Sequence, residues 1–104
     1  MPSATFPPWR HSVPDDTTPL PLVEILGTPA CHLCAEAKAV LHELQTIHPF
    51  VLREIDVSEY PELMQRYGEE IPVVFINGRK AFKYRIDAAQ CVRWLRRARH
   101  QAAH

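Results

Sequence analysis

GTPACHLCAEAKAVL, residues 27–41, decides the fold of this chain. It places two cysteines three positions apart, Cys31 and Cys34, where a loop turns into a helix. Apolar residues then recur at helical spacing with polar residues between them, which predicts an amphipathic helix over residues 34–47. A short apolar run, residues 22–26, precedes the stretch and is bounded by prolines and a glycine, as is typical of a buried strand. The sequence therefore predicts a strand that leads into a helix at a pair of cysteines.

The segment after this helix predicts a second strand, over residues 50–57. Because a helix connects the two strands, they are expected to be parallel and joined by a right-handed crossover. Ser58 is the predicted N-cap of a short helix that tolerates Pro61 in its first turn and ends at Gly68.

The next segment has the pattern of a β-hairpin. Two runs rich in apolar residues, 71–76 and 79–86, flank the dipeptide Asn77-Gly78. Asn-Gly supplies the positive φ angles that a two-residue hairpin turn requires. The last two strands are therefore predicted to be antiparallel.

A final helix follows, and Asp87 and Gln90 have the spacing of a capping box at its start. Its predicted apolar side consists of Ala88, Cys91, Val92 and Leu95. The predicted order is β-α-β-α-β-β-α, an α/β chain without internal repeats.

The length of 104 residues allows one modest core, so we expect a single domain. Six of the ten prolines lie in residues 1–21, which predicts a flexible N-terminal segment. The folded domain is predicted over residues 22–99, and residues 100–104 form a short tail.

The composition, 46% hydrophobic and 23% charged, is that of an ordinary globular protein. No apolar run reaches the roughly 18 residues of a membrane span, and the start of the chain lacks the pattern of a secretory signal. We therefore expect a cytoplasmic protein. Three cysteines in a reducing compartment argue against a stapling disulfide framework and leave redox chemistry or metal binding for the Cys-x-x-Cys pair.

The position of the two cysteines favours a working dithiol. Residues three apart at a helix start have Cβ atoms about 5–6 Å apart, close enough for a disulfide after small rotations. Cys31, ahead of the helix, would meet unpaired N–H groups and the positive end of the helix dipole, which stabilise a thiolate. Cys31 is thus the candidate nucleophile. Cys34, shielded in the first turn, is the candidate resolving thiol.

Three other interpretations stay open. A zinc site needs two more ligands; Cys91 lies on the packed face of the last helix, where a buried structural thiol is expected, and the histidines are scattered. An iron–sulfur cluster shared between two chains could use Cys31, with ligands from outside. The two thiols could also be inert.

Pro72 supports a site beside the cysteines. A proline that opens a strand costs a hydrogen bond in the sheet, and a cis Ile71–Pro72 bond is one use that explains it. Such a bond would leave the backbone of Ile71 free to pair with an extended substrate or a tripeptide thiol.

These motifs resemble those of the glutaredoxin-like branch of the thioredoxin superfamily, in particular its small bacterial members. The resemblance covers residues 22–97 and implies a thioredoxin-like fold: a four-stranded mixed sheet flanked by three helices, with the first strand central, helices on both faces and Pro72 in cis. It implies thiol–disulfide exchange with Cys31 attacking, Cys34 resolving and Pro72 in the substrate groove. It is carried by Cys-His-Leu-Cys at 31–34, Ile55-Asp56, Tyr67-Gly68 and Glu-Ile-Pro-Val-Val-Phe-Ile-Asn-Gly at 70–78.

The resemblance also implies partners: protein disulfides or glutathione-type thiols. Arg85-Ile86 stands where glutathione-binding members show Gly-Gly before the aspartate that corresponds to Asp87. Arg85 and Asp87 are the predicted contacts for the charged ends of glutathione, a co-substrate, and no bound cofactor is predicted. His32 is the third predicted substrate contact and, when protonated, could donate to the Cys31 sulfur. Glu24 in the first strand is either a proton shuttle or a carboxylate at a solvated strand edge.

The charge distribution suggests a competing function. Residues 22–78 carry nine acids and three bases, whereas residues 79–104 carry eight bases and one acid. A basic last helix could make the domain a non-catalytic binding module for an anionic partner such as nucleic acid. We favour a solvated helix face, because cations near a helix C-terminus already relieve its dipole; nucleic acid is therefore not an expected partner, and the chain is expected to be a monomer. The residues concerned are Arg93, Trp94, Arg96, Arg97 and Arg99.

Overall fold

Strands and helices follow one another in the predicted order in the computed structural model, which describes residues 20–102. The predicted N-terminal segment lies outside the described residues except for Leu20 and Pro21, and so do the last two residues of the predicted tail. The elements are β1 (Leu22–Gly27), α1 (His32–Gln45), β2 (Val51–Asp56), a single 3₁₀ turn (Val57–Glu59), α2 (Pro61–Tyr67), β3 (Val73–Ile76), β4 (Arg79–Lys83) and α3 (Ala88–Ala102).

The four strands form one mixed sheet in the order β2-β1-β3-β4. β1 is parallel to β2 and antiparallel to β3, with Leu26 opposite Val73, and β3 is antiparallel to β4. The predicted mixed sheet with the first strand in its interior is thus confirmed.

The β3–β4 turn is built as the Asn-Gly pair predicts. Asn77 and Gly78 have φ angles of 51° and 82°, both positive, as a two-residue hairpin turn needs. The turn is also tied to the start of β1: the Leu22 N–H donates to Asn77 Oδ1 at 2.9 Å, and the Asn77 N–H donates to the Leu22 carbonyl at 2.8 Å.

Alternation along β1 divides the core between the two faces of the sheet. One face, which we call the first face, carries α1 and α3, and the second face carries α2. Helices therefore cover both faces, as predicted. The first-face core includes Val23, Ile25, Ala37, Leu41, Cys91 and Leu95, and the second-face core consists of Leu26, Val57 and Val73 with Leu63 and Tyr67 packed against them.

Three predicted boundaries differ from the structure. α1 begins at His32 rather than Cys34, because the Cys31 side chain serves as its N-cap. Ser58 is not an N-cap: the Asp56 side chain caps the 3₁₀ turn, and α2 begins at Pro61 without a side-chain cap. Proline has its φ fixed for the first helical position and has no N–H that needs a partner there. β4 ends at Lys83, three residues before the predicted Ile86.

The last helix has the predicted cap and the predicted buried side. Asp87 Oδ1 accepts the Gln90 N–H at 3.0 Å, and Cys91 and Leu95 are fully or almost fully buried. Of the predicted apolar residues, Ala88 is exposed and Val92 is only partly buried. No helix within residues 20–102 is long and apolar enough to cross a membrane.

Candidate functional site

The candidate site lies at the end of the sheet where β1 ends. Because Leu26 pairs with Val73, Pro72 lies beside Gly27 at this end. Val73 also pairs with Lys83, which brings the segment after β4 to the same place. The register therefore gathers the predicted site residues, Cys31, His32, Cys34, Ile71, Pro72, Arg85 and Asp87, around one end of the molecule.

Cys31 forms the start of α1. Its backbone is extended, with φ −83° and ψ 117°, and its Sγ accepts the Cys34 N–H at 3.2 Å. The side chain is partly exposed, and all three cysteines are free thiols. A sulfur in this place receives a backbone hydrogen bond at the positive end of the helix dipole.

Cys34 has the opposite environment. Its side chain is only 1% exposed. Burial, followed by a side-chain hydrogen bond between the Cys34 thiol and Cys31, raises the pKa of Cys34 from 9.0 to about 11. The two thiols of the pair are therefore unequal: one is accessible to a substrate, and the other is held protonated below the surface.

Gly27 is a site residue that the sequence reasoning missed. It is buried, and a Cβ atom added to it would lie 2.7 Å from Cys34 Sγ and 3.0 Å from Cys34 Cβ. Only glycine lets the end of β1 approach the buried thiol so closely. Its position between a strand and the cysteine loop was visible in the sequence, but the contact itself was not.

His32 is paired with an acid of its own helix. Its Nε2 lies 3.0 Å from Oε2 of Glu36, one turn further along α1, and its side chain is 88% exposed.

Pro72 and Ile71 form the edge of the site next to β3. The Ile71–Pro72 bond is cis, as predicted. Pro72 is fully buried, and its carbonyl accepts the Tyr84 N–H at 2.8 Å. Ile71 is partly buried and packs against the second-face core.

Arg85 and Asp87 lie in the loop between β4 and α3. Arg85 lines a shallow surface pocket of about 120 Å³ together with Leu33 and Glu36 of α1. The Asp87 carboxylate caps α3, so this side chain has a structural role at the start of the helix. The loop therefore does reach the first turns of the cysteine helix.

Three other candidates from the sequence take ordinary places. Cys91 is fully buried in the first-face core, and burial raises its pKa to about 11. Glu24 faces the second face and pairs with Arg53 of β2 at 3.4 Å, away from α1. Within residues 20–102, no three His, Cys, Asp or Glu side chains are grouped so that they could hold a metal ion.

The sheet order and the flanking helices define a thioredoxin-like fold, and solved structures share it. The oxidised form of mitochondrial thioredoxin 3 from Saccharomyces cerevisiae matches with a TM-score of 0.58 and 17% identity, over 78% of this chain and 81% of that chain. Protein XcR50 from X. campestris matches with a TM-score of 0.62 and 22% identity, over 72% and 96%.

Protein Ne2328 from Nitrosomonas europaea is similar in sequence as well. Its solution structure matches with a TM-score of 0.65 and 27% identity, over 73% of this chain and 92% of that chain. Residues 22–96 match the family described as glutaredoxin-like domain (DUF836). The chain belongs to this glutaredoxin-like family, which confirms the resemblance drawn from the Cys-His-Leu-Cys and Ile-Pro-Val motifs.

Proposed function

We propose that this chain is a thiol–disulfide oxidoreductase in which Cys31 is the nucleophile and Cys34 the resolving thiol. The observation that supports this most is the inequality of the two thiols. The Cys31 sulfur is partly exposed and accepts the Cys34 N–H at 3.2 Å, whereas the Cys34 side chain is 1% exposed. Two inert thiols would need no such arrangement.

The proposed reaction has two exchanges. The Cys31 thiolate attacks one sulfur of a substrate disulfide; a mixed disulfide forms, the substrate S–S bond breaks, and the first substrate thiolate leaves and takes a proton from water. Cys34 then attacks Cys31 Sγ, which forms the Cys31–Cys34 disulfide and releases the second substrate sulfur, and the Cys34 proton passes to that departing thiolate. The substrate gains two electrons, which the dithiol loses. A glutathione-type thiol or a dithiol protein would restore the reduced pair.

The proposed substrates are protein disulfides or glutathione-type disulfides, with glutathione as a co-substrate rather than a bound cofactor. Ile71 and Arg85 line the approach to Cys31 in this proposal, the buried Pro72 fixes the backbone behind Ile71, and Asp87 and His32 lie at its rim. The loop between β4 and α3 supports this, because Arg85 of the loop and Leu33 of the first turn of α1 line the same pocket.

Mass mapping across a series of dithiol–disulfide buffers tests the pair directly. We expect reversible conversion of two thiols into an intramolecular Cys31–Cys34 disulfide, with Cys91 free throughout. A disulfide that includes Cys91 would reject the proposal. So would the absence of any disulfide at buffer reduction potentials between those of thioredoxin and glutathione.

Single variants test the assignment of roles. Cys34→Ser should accumulate mixed disulfides through Cys31, and Cys31→Ser should lose exchange altogether, while Cys91→Ala serves as the control with both exchanges intact. In the reduced protein near pH 8, alkylation should reach Cys31 well before Cys34, because the raised pKa of Cys34 keeps it protonated. Faster alkylation of Cys34 would reverse the assignment.

A chain purified without oxygen that carries iron, sulfide and visible absorbance would instead favour an iron–sulfur cluster shared between two chains.

A further inference from the structure

Tyr84 adopts a backbone conformation that tyrosine rarely takes. Its φ angle is 70°, in the left-handed region where a bulky side chain is an outlier. The Arg85 N–H donates to the Lys83 carbonyl at 2.8 Å across it. A bond between residues two apart around a central residue with positive φ is a γ-turn of the rare, strained kind. Strain of this sort persists where surrounding contacts enforce it, and it clusters at functional sites.

The contact that enforces the turn comes from the candidate site itself. The Tyr84 N–H donates to the Pro72 carbonyl at 2.8 Å and, at a longer 3.3 Å, is shared with the Glu70 carbonyl. The turn therefore holds Tyr84 against the segment that enters β3, beside Gly27 and the cysteines.

The Tyr84 side chain faces solvent and borders the first turns of α1. It is 44% exposed, and Tyr84 lines the same shallow pocket as Leu33 and Val40 of α1 and Ile86 of its own loop. An aromatic side chain with three aliphatic neighbours offers an apolar contact on the side of α1 that carries Leu33, which lies between the two cysteines in the sequence.

The rim of this pocket is cationic. Arg85 lines the pocket and forms no salt bridge within residues 20–102. Lys83 Nζ lies 5.5 Å from the Tyr84 ring centroid, and its charge also acts on Glu70. Glu36 also lines the pocket, with its Oε2 3.0 Å from His32 Nε2, so one carboxylate stands beside the two cations. Charge complementarity therefore favours an acidic group beyond the apolar contact.

We propose that Tyr84 is a specificity-determining residue that contacts the polypeptide segment flanking a substrate disulfide. This rests on the proposed exchange at Cys31. The preferred substrate is a peptide or protein disulfide with an apolar side chain next to the cysteine and an acidic residue beyond it. Disulfides too small to reach the ring are exchanged at a rate that does not depend on the Tyr84 side chain.

Matched substrates and variants separate this contact from a structural role. The substrates are Asp-Phe-Cys-Gly, Asp-Gly-Cys-Gly and Lys-Phe-Cys-Gly, each in a disulfide with thionitrobenzoate, and bis(2-hydroxyethyl) disulfide as the small control. Tyr84→Asn removes the ring but keeps a residue that tolerates left-handed backbone, and Tyr84→Phe keeps the ring.

We expect KM to change for only one combination of variant and substrate. For Tyr84→Asn, KM for the Asp-Phe peptide should rise about tenfold, equivalent to about 1.4 kcal/mol, with kcat within about twofold. Tyr84→Phe should match the wild type on every substrate, and all three proteins should act alike on the small disulfide. The wild type should prefer Asp-Phe over both other peptides.

Equal losses on the peptide and the small disulfide would show that Tyr84 only shapes the site, and no change in KM would show that it touches no substrate; either overturns the proposal. If the wild type exchanges none of the disulfides, the proposed function fails, and the contact is then judged by NMR with Asp-Phe-Ser-Gly. An amide shift change at Leu33 that the peptide causes in the wild type but not in Tyr84→Asn would sustain the contact. No peptide-induced change in the wild type would refute it.

Discussion

Replacing Gly27 with alanine should destabilise the fold through a collision with Cys34. The new Cβ would lie 2.7 Å from Cys34 Sγ, where ordinary contacts begin at 3.4 Å, so the two groups must separate by at least 0.7 Å. The Cys34 side chain is buried in the first turn of α1 and offers no flexible end that could move aside. Overpacking of this kind typically costs about 1–3 kcal/mol. We expect a loss of that size in the free energy of unfolding.

Denaturant unfolding of the reduced protein measures this, and a double-mutant cycle assigns it. In a Cys34→Ala background the 2.7 Å contact is absent, so Gly27→Ala should cost at least about 1 kcal/mol less than in the wild type. Gly78→Ala is the control: its Cβ meets open space, but its φ of +82° penalises alanine, so it should destabilise by about 1–2 kcal/mol without any coupling to Cys34. Additive costs for Gly27→Ala and Cys34→Ala would refute the close approach.

Two further predictions concern buried thiol chemistry and the cap of α3. Because burial raises the pKa of Cys91 from 9.0 to about 11, only the unfolded state loses this proton between pH 9 and 11; stability that is complete below pH 9 should therefore fall, by at most about 2–3 kcal/mol for this group. Cys91→Ala should show a correspondingly shallower decline in unfolding free energy, and parallel curves would contradict the assignment. Asp87→Ala should lower stability by about 1 kcal/mol because the Gln90 N–H loses its acceptor, whereas Asp87→Asn should keep most of it. If the Asp87 charge also binds glutathione, Asp87→Asn, which keeps the cap but removes the charge, should raise KM for glutathione disulfide. An unchanged KM would mean that Asp87 acts only as the helix cap.

The arrangement of strands was predictable because it depends on local and repeated signals. The change from strand to helical spacing around residues 27–41 and the Asn77-Gly78 pair each act within a few residues, and tertiary packing reinforced both. The cis Ile71–Pro72 bond was predictable for a similar reason, because a proline at the start of a strand marks it in the sequence.

The misplaced boundaries have a different origin, because each depends on an atom that the local pattern does not reveal. Cysteine is not among the usual N-cap residues, so nothing marked Cys31 as the cap that starts α1 two residues early. The end of β4 depends on the positive φ of Tyr84, 70°, which leaves the extended conformation, and on Pro72, which has no N–H to return the hydrogen bond that its carbonyl accepts from Tyr84. A strand pattern that continues to Ile86 gives no sign of it.

The inequality of the two thiols was partly predictable. A helix start explains why Cys31 is exposed and Cys34 shielded. The close approach of Gly27 to Cys34 depends on how tightly β1 meets α1, which is a property of three-dimensional packing rather than of spacing.

The hydrogen bond from the Cys34 N–H to Cys31 Sγ links the oxidation state of the pair to the start of α1. In the thiolate form that the proposed exchange requires, Cys31 Sγ is a strong acceptor for this N–H, whereas a disulfide sulfur is a weak one, so the first turn of the helix is better held in that reduced form. If the two cysteines form a disulfide as proposed, oxidation weakens the cap, and part of the free energy of folding opposes it. A pair whose reduced form is favoured in this way is a stronger oxidant than the same pair without the bond. Under the proposed function, the start of α1 would therefore bias the direction of electron flow.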